Sequence, residues 1–363
     1  MIDVDLDDLT TYEELDPSGL RHRLNTLPEQ CSRAWLQAKD TLAPDSLSRC
    51  REVIIAGMGG SAIAGDLVAD LADPGSNTSI RVVRDFRIPA LLLDQDPQPG
   101  QLVIVCSFSG ETEETLSMFN QAQLAGAAII VITGGGTLRQ RAVEAGIPVM
   151  TIDAPGEPRS AVGYNLMLLA SLLDRTGVIK VSDHDVSEAV AAAEVMVSEV
   201  AISVATERNQ AKLLAKELIG GLTVVYGSGS LSGMALRWKS QINENGKSWA
   251  FAELLPEILH NSVESFPGRP EVSQQTTALL LKPNQVTPGL RSRYTVLSET
   301  LEHFHINSRM LTAVPGGILT QSLAMIVLGD HVSYYMGLLN GINPSETPSI
   351  NLFKQRLSSS DAA

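Results

Sequence analysis

Aromatic residues are scarce: Phe, Trp and Tyr make up 4% of the 363 residues. Surfaces that stack sugars or bases need aromatic faces, so none is expected here. Runs of positive charge are missing too. Lys and Arg number 27 against 41 Asp and Glu, a net charge of −14. A chain this acidic repels nucleic acid and anionic membrane surfaces, so neither is expected as a partner. There are three cysteines, Cys31, Cys50 and Cys106, at no metal-ligand spacing. The opening Met1-Ile2-Asp3-Val4-Asp5 is acidic where a signal peptide would be basic. Both features suit a reducing cytoplasm. The six histidines are scattered, with no HExxH and no His–carboxylate cluster, so no metal and no other cofactor is expected. The longest apolar runs, such as Leu323–Leu328, are too short to cross a bilayer.

What is present is length and a repeating pattern. At ~150 residues per domain the chain holds about two domains. Residues 1–16 carry seven acids and no base, and read as a solvated or frayed arm. A helical pattern follows from Ser18 to Lys39. Then Val53–Ala56 stops at Gly57-Met58-Gly59-Gly60, Leu102–Cys106 at Ser107-Phe108-Ser109-Gly110, and Ala128–Ile132 at Thr133-Gly134-Gly135-Gly136. Residues 80–84 and 147–152 add two more strands. Short all-apolar strands with intervening helices mean a parallel sheet covered on both faces. Residues 160–217 are helical, with Val186, Ala189, Val190, Ala193 and Val197 on one stripe. The pattern restarts at Leu222–Tyr226, which runs into Gly227-Ser228-Gly229-Ser230; residues 277–281 and 306–311 supply strands, and 318–339 a long helix. The expected fold is α/β with two doubly wound, flavodoxin-like parallel-sheet domains. The expected division is an acidic arm and helix over 1–40, a first domain over 41–153, a helical connection over 154–218, and a second domain with a C-terminal helix over 219–363.

Each Gly/Ser junction sits at the carboxyl end of a strand, where open α/β sheets bind ligands. Gly57–Ser61 brings backbone N–H groups to a helix N-terminus, which favours an anion. Ser107, Ser109 and Thr112 set three hydroxyls before the next helix. Taken singly, each junction could be no more than a tight turn and a helix cap. Two in consecutive units favour a phosphate site. A dinucleotide is the rival ligand, since Gly57–Ala62 approximates a GxGxxG fingerprint, but it leaves the hydroxyl-rich 107–112 loop unexplained. The densest polar segment runs from Gln241 to Lys247 and on to His260-Asn261. Asn243 and Asn245 flank Glu244, and flanking amides can hold a carboxylate in one orientation, as a general base requires. The alternative is a polar loop capping a helix. His260 alone reads as a partly buried histidine, but a Glu and a His together can divide base and acid work.

These pieces, in this order, resemble the bifunctional phosphoglucose/phosphomannose isomerase family of the SIS (sugar isomerase) fold. The matching stretches are Gly57–Asp66, Ser107–Thr115, Pro158-Arg159 with Gly163-Tyr164, Asn243-Glu244-Asn245 with Lys247, Pro256-Glu257 with His260-Asn261, and Asn343-Pro344 through Thr347 to Leu352-Phe353-Lys354. The resemblance implies two SIS domains and a metal-independent aldose–ketose isomerase that interconverts glucose 6-phosphate, and mannose 6-phosphate, with fructose 6-phosphate through a cis-enediol. It implies Gly60, Ser61, Ser107, Ser109 and Thr112 at the substrate phosphate, Arg159 at the enediolate and Glu244 as the C1/C2 base. It further implies His260 as the ring-opening histidine supplied across a homodimer interface, Lys354 as its assistant, and Thr347 leaving room for both epimers. Family members often carry an acid after the His-Asn pair, where this chain has Ser262. The alternative on the same fold is a non-catalytic sugar-phosphate-binding sensor; it would need the hydroxyl loops but not Glu244.

Overall fold

The computed structural model describes residues 4–39, 50–73, 75–89 and 100–360, so the expected boundary at 40/41 lies outside the described residues. The chain opens with three helices, α1 (Leu9–Leu15), α2 (Leu20–Asn25) and α3 (Leu27–Lys39). From residue 4 onward the acidic N-terminal segment is not a frayed arm. Leu6 and Tyr12 are buried, and the Tyr12 hydroxyl donates to the Leu6 carbonyl at 2.6 Å. Asp7 accepts from the buried Lys212 ammonium at 2.9 Å and from the Thr206 N–H and hydroxyl at 3.0 Å each. Those bonds, Lys212's first, hold the Asp7 carboxyl below its ordinary range. Asp16 accepts from the N–H groups of Leu20 and Arg21 at 2.8 and 3.0 Å, capping α2. Acid count alone predicts solvation; here two of the acids satisfy a buried cation and a helix end, groups that would otherwise lose their hydrogen bonds.

The first sheet is built from β1 (Glu52–Gly57), α4 (Gly59–Ala69), β2 (Ser79–Val83), β3 (Gln101–Ser107), α5 (Glu113–Leu124), β4 (Ala128–Thr133), α6 (Gly136–Glu144) and β5 (Val149–Thr151). All pairings are parallel, in the order β2-β1-β3-β4-β5. Val53–Ala56, Leu102–Cys106 and Ile130–Ile132 are almost wholly buried, as helices on both faces require. In this order the winding reverses between β1 and β3, and a crevice opens outside their carboxyl ends. Gly57 pairs with Cys106, which sets the two Gly/Ser loops side by side at that crevice.

Helices α7 (Val162–Arg175), α8 (Asp183–Glu199) and α9 (Gln210–Leu218) follow. On α8, Val186, Ala189 and Ala193 are buried and Val190 and Val197 half-buried, as the stripe predicts. The second sheet comprises β6 (Leu222–Gly227), α10 (Ser232–Glu244), β7 (Ala250–Leu254), the single turn α11 (Pro270–Ser273), β8 (Thr276–Lys282), α12 (Pro288–His303) and β9 (Asn307–Thr312). It is parallel in the order β7-β6-β8-β9. Strand β7 lies inside the densest polar stretch, where no strand was expected. It is an edge strand with two of its five residues exposed and one buried, so it lacks the all-apolar run that marks the central strands. The chain ends in α13 (Ile318–Leu339) and α14 (Pro348–Ser360). By length and composition α13 could cross a membrane, the one such helix among the described residues; 94% of its apolar window is buried inside the protein.

Helices α4 and α10, the first after β1 and β6, pack against one another in opposite directions. Gly233, at the start of α10, touches Asp66, well along α4. A Cβ there would come within 2.7 Å of the Asp66 carbonyl carbon, so only glycine allows the approach. The Gly233 N–H donates to Asp70 at 2.8 Å. The far end of α10 returns toward the start of α4, since Gly60 abuts the backbone at Pro158-Arg159 and the Arg159 guanidinium faces Glu244. Burial pushes the Asp70 carboxyl up to about 7, against the Gly233 bond and helped by the charge of Asp66. A carboxyl raised above its unfolded value of ~3.9 contributes stability that is full below that value and is lost as pH rises to about 7. Asp70→Asn should therefore match the parent near pH ~4 and be about 1–3 kcal/mol more stable at pH ~8, read from urea unfolding midpoints at the two pH values.

Candidate active site

The two hydroxyl loops meet at the β1/β3 crevice. Ser61 lies in the first turn of α4 and Ser107 ends β3; both are buried. The Ser107 hydroxyl donates to the Thr112 hydroxyl at 3.2 Å and accepts from the Gly110 N–H at 3.1 Å. The exposed Ser109 accepts from the Glu111 N–H at 3.2 Å. Met58 and Thr112, the N-cap residues of α4 and α5, make no side-chain cap. Two uncapped helix N-termini thus sit behind adjacent strands, and both favour an anion. Gly60 abuts the next component: a Cβ there would lie 3.2 Å from the Pro158 carbonyl oxygen.

Pro158 begins a 3-10 turn, Pro158–Ala161, that presents Arg159. Arg159 is 4% exposed. Its Nε donates to Asn245 Oδ1 at 2.6 Å, and its Nη2 to the carbonyls of Pro344 and Ser345 at 3.1 and 2.7 Å. Nη1 faces Glu244, with 3.5 Å to Oε2. Burial lowers the pKa of Arg159 and the Glu244 charge opposes that shift. A second buried pair backs the first. Arg237 on α10 donates to the Arg159 carbonyl at 2.8 Å and to both oxygens of Asp330 on α13 at 2.8 and 2.7 Å; Gln241 adds a bond to Asp330 at 2.8 Å.

Glu244 is the last residue of α10, with a side chain 29% exposed. The flanking amides do not hold its carboxylate; of the two readings the sequence left open, theirs is the polar loop at a helix end. Asn243 donates to the Ser248 carbonyl at 2.9 Å; Asn245 accepts from Arg159 and donates to the Ser333 hydroxyl at 3.1 Å. They shape the loop and orient the arginine, because the helix ends between them and turns their side chains away from Glu244's. Lys247, part of the matched motif but given no role there, donates to the carbonyls of Glu244, Pro344 and Glu346. Arg237 and Asp330 were missed as well. Their signal was charge inside apolar helical runs, since a charge there needs a buried partner.

Thr347 follows the Pro344–Glu346 segment and is half-buried. His260 and Lys354 are not joined to this cluster within one chain. His260 ends a 3-10 turn beyond β7 and is exposed; Lys354 lies on α14, whose residues from 348 to 359 are all exposed. Ser262 donates to Glu253 Oε1 at 2.8 Å, so a carboxylate stands beside the His-Asn turn despite the serine.

The paired parallel sheets, with hydroxyl loops at one switch point and a carboxylate–guanidinium pair beside them, define a two-domain SIS-type α/β protein. Residues 207–357 match the family described as bacterial phospho-glucose isomerase C-terminal SIS domain. A bifunctional phosphoglucose/phosphomannose isomerase of Caldicellulosiruptor bescii is 30% identical over 332 residues, covering 91% of this chain and 96% of that one. The chain belongs to the bifunctional phosphoglucose/phosphomannose isomerase family. Solved structures share the fold: a hypothetical protein of Thermus thermophilus has TM-score 0.74 at 17% identity, covering 98% of this chain and 93% of that one. A glucose-6-phosphate isomerase of Chlamydia trachomatis has TM-score 0.66 at 15% identity, covering 92% of this chain and 73% of that one.

The buried pair behind Arg159 gives a test of the site's framework. Asp330→Ala leaves the Arg237 guanidinium buried without its carboxylate and should cost about 3–5 kcal/mol in urea unfolding. The double variant Arg237→Met/Asp330→Leu should recover most of that loss, since two apolar side chains leave no unpaired charge.

Proposed function

We propose that the chain is an aldose–ketose isomerase that interconverts glucose 6-phosphate and mannose 6-phosphate with fructose 6-phosphate. The observation that carries this reading is the Glu244 carboxylate 3.5 Å from a buried guanidinium, beside two hydroxyl loops at a sheet switch point. A protein that only bound a sugar phosphate would gain from the loops and the arginine. A carboxylate at the same place would repel its ligand, so it argues for chemistry over sensing.

In this reading the phosphate sits against Gly60, Ser61, Ser107, Ser109 and Thr112, where helix N-termini and hydroxyls supply donors. Binding there, remote from the reacting carbons, positions the sugar. Glu244 takes the proton from C2 of the open aldose and returns it to C1 while the hydroxyl proton passes from O2 to O1, and the reverse from the ketose. Negative charge develops on the enediolate oxygen. Arg159 has Nε and Nη2 committed to the protein, which leaves Nη1 turned toward that charge. One such donor is worth roughly 2.7–4 kcal/mol at the transition state. Glu244→Gln keeps shape and hydrogen bonding but cannot accept a proton. It should bind substrate normally and lose at least ~10²-fold in turnover and in solvent deuterium exchange at C2. Exchange at the parent rate would assign the base elsewhere.

We further infer a cytoplasmic homodimer whose sites are shared. The exposed His260 and Lys354 would reach the partner's Glu244 loop and open the sugar ring there. Two surfaces support this. Helix α14 exposes Ile350, Phe353 and Leu357 at helical spacing, and the edge of the second sheet exposes Trp249 (74%) stacked on Phe251. Apolar surface of this kind favours burial against another chain. Mixing inactive Glu244→Gln with inactive His260→Ala should restore partial activity through hybrid dimers. No recovery despite proven subunit exchange would place both residues in one subunit's site.

A further inference from the structure

The segment Pro344–Glu346 is gripped by two cations. Arg159 takes the carbonyls of Pro344 and Ser345; Lys247 takes those of Pro344 at 3.3 Å and Glu346 at 2.5 Å, together with that of Glu244. An ammonium has three donors and no acceptor, so three carbonyls use it completely. The Glu244 carbonyl lies in the last turn of α10, where carbonyls have no intrahelical partner and a cation is favoured. Lys247 also holds a left-handed backbone, φ 52°, which costs a non-glycine residue roughly 1–2 kcal/mol. Its nitrogen is half-buried near Arg159, Glu244, Glu346 and Glu157; burial first, then the Arg159 charge, push its pKa down to about 8 against the three carboxylates. It remains an ammonium at neutral pH. A costly backbone and a desolvated charge persist only where the surroundings fix them, and such positions gather at functional sites.

The geometry gives the clip its meaning. One nitrogen holds both the backbone of Glu244 and the carbonyl immediately before Thr347. Lys247 therefore shares with Arg159 in holding the base at its distance from the residue read as making room for the C2 epimers, and it alone reaches the carbonyl next to that residue. Beyond Thr347 the same segment leads into α14, which carries Lys354. Arg159 grips the segment too, but its remaining nitrogen is turned to the chemistry, whereas Lys247 spends every donor on the backbone.

We propose that Lys247 is a positioning residue that clips the Thr347 segment to the end of the Glu244 helix and thereby sets discrimination between glucose 6-phosphate and mannose 6-phosphate. The proposal rests on the isomerase reading above. Parent, Lys247→Met and Lys247→Arg proteins would be assayed with both substrates, and hydrogen exchange followed over residues 345–351 and over β1 and β3. Lys247→Met should lose about 10–100-fold in kcat/KM, the scale of a ~1 Å misplacement, and change the ratio between the two substrates by about threefold or more. Lys247→Arg, which keeps the charge and several donors, should regain part of the rate and return the ratio toward the parent's. Amides of 345–351 should exchange faster in Lys247→Met while β1 and β3 stay protected. An unchanged substrate ratio, or unchanged exchange over 345–351, overturns the proposal. A parent protein inactive on both sugars overturns the isomerase reading instead, and the exchange measurement then decides the clip by itself. Should Lys247→Met fail to fold, Lys247→Gln carries the same measurements.

Discussion

A guanidinium taken out of water must be met on every side, and the burial of Arg159 is the constraint around which this site is arranged. Desolvating such a charge costs several kcal/mol unless geometry and hydrogen bonds compensate. Arg159 is compensated by groups far apart in sequence: Asn245 and Glu244 at the end of α10, and the carbonyls of Pro344 and Ser345 before α14. Its own carbonyl is held by Arg237, which Asp330 neutralises from the central helix α13. Satisfying one cation thus fixes the 3-10 turn after the first sheet, the first helix of the second sheet and the C-terminal segment relative to one another.

The same constraint explains how two sheets serve one site. The first sheet contributes its switch point, with the hydroxyl loops of β1 and β3 level with one another. The second contributes only the far end of its first helix. The opposed packing of α4 and α10, close at Gly233, carries that end back to the loop at Gly60. The N-terminal region joins in. Arg23 donates to both oxygens of Glu157, at 2.9 and 2.7 Å, and to Ser345 at 3.1 Å, bracing the segments on either side of Arg159 from α2.

Much of this was legible in the chain. Apolar runs ending in Gly, Ser or Thr-Gly located β1, β3, β4 and β6, and the apolar run 277–281 located β8, because a strand buried on both faces has no polar alternation to confuse with a helix. Where polar groups are paired, or an edge strand lies within a polar stretch, the reading failed. β7 was overlooked as an edge strand within a polar stretch. Acid count predicts solvation for the opening segment, although Asp7 and Asp16 bind Lys212 and the start of α2. For the amides beside Glu244 the sequence left open a grip on its carboxylate or a polar loop at a helix end, and the structure shows the second.

By itself the sequence determined the α/β class, the parallel strands and the residue types that the chemistry requires, because periodicity and loop composition are local properties of the chain. Which residues face one another was decided by tertiary structure. Arg159 meets Asn245 across 86 positions of sequence, with Glu244 beside it. Lys247 shares one nitrogen between Glu244 and Glu346, and His260 and Lys354 stand apart on exposed elements. All of these follow from helix packing and from the need to pair buried charge. No spacing along the chain encodes those requirements, since they are met only when distant segments are brought out of water together.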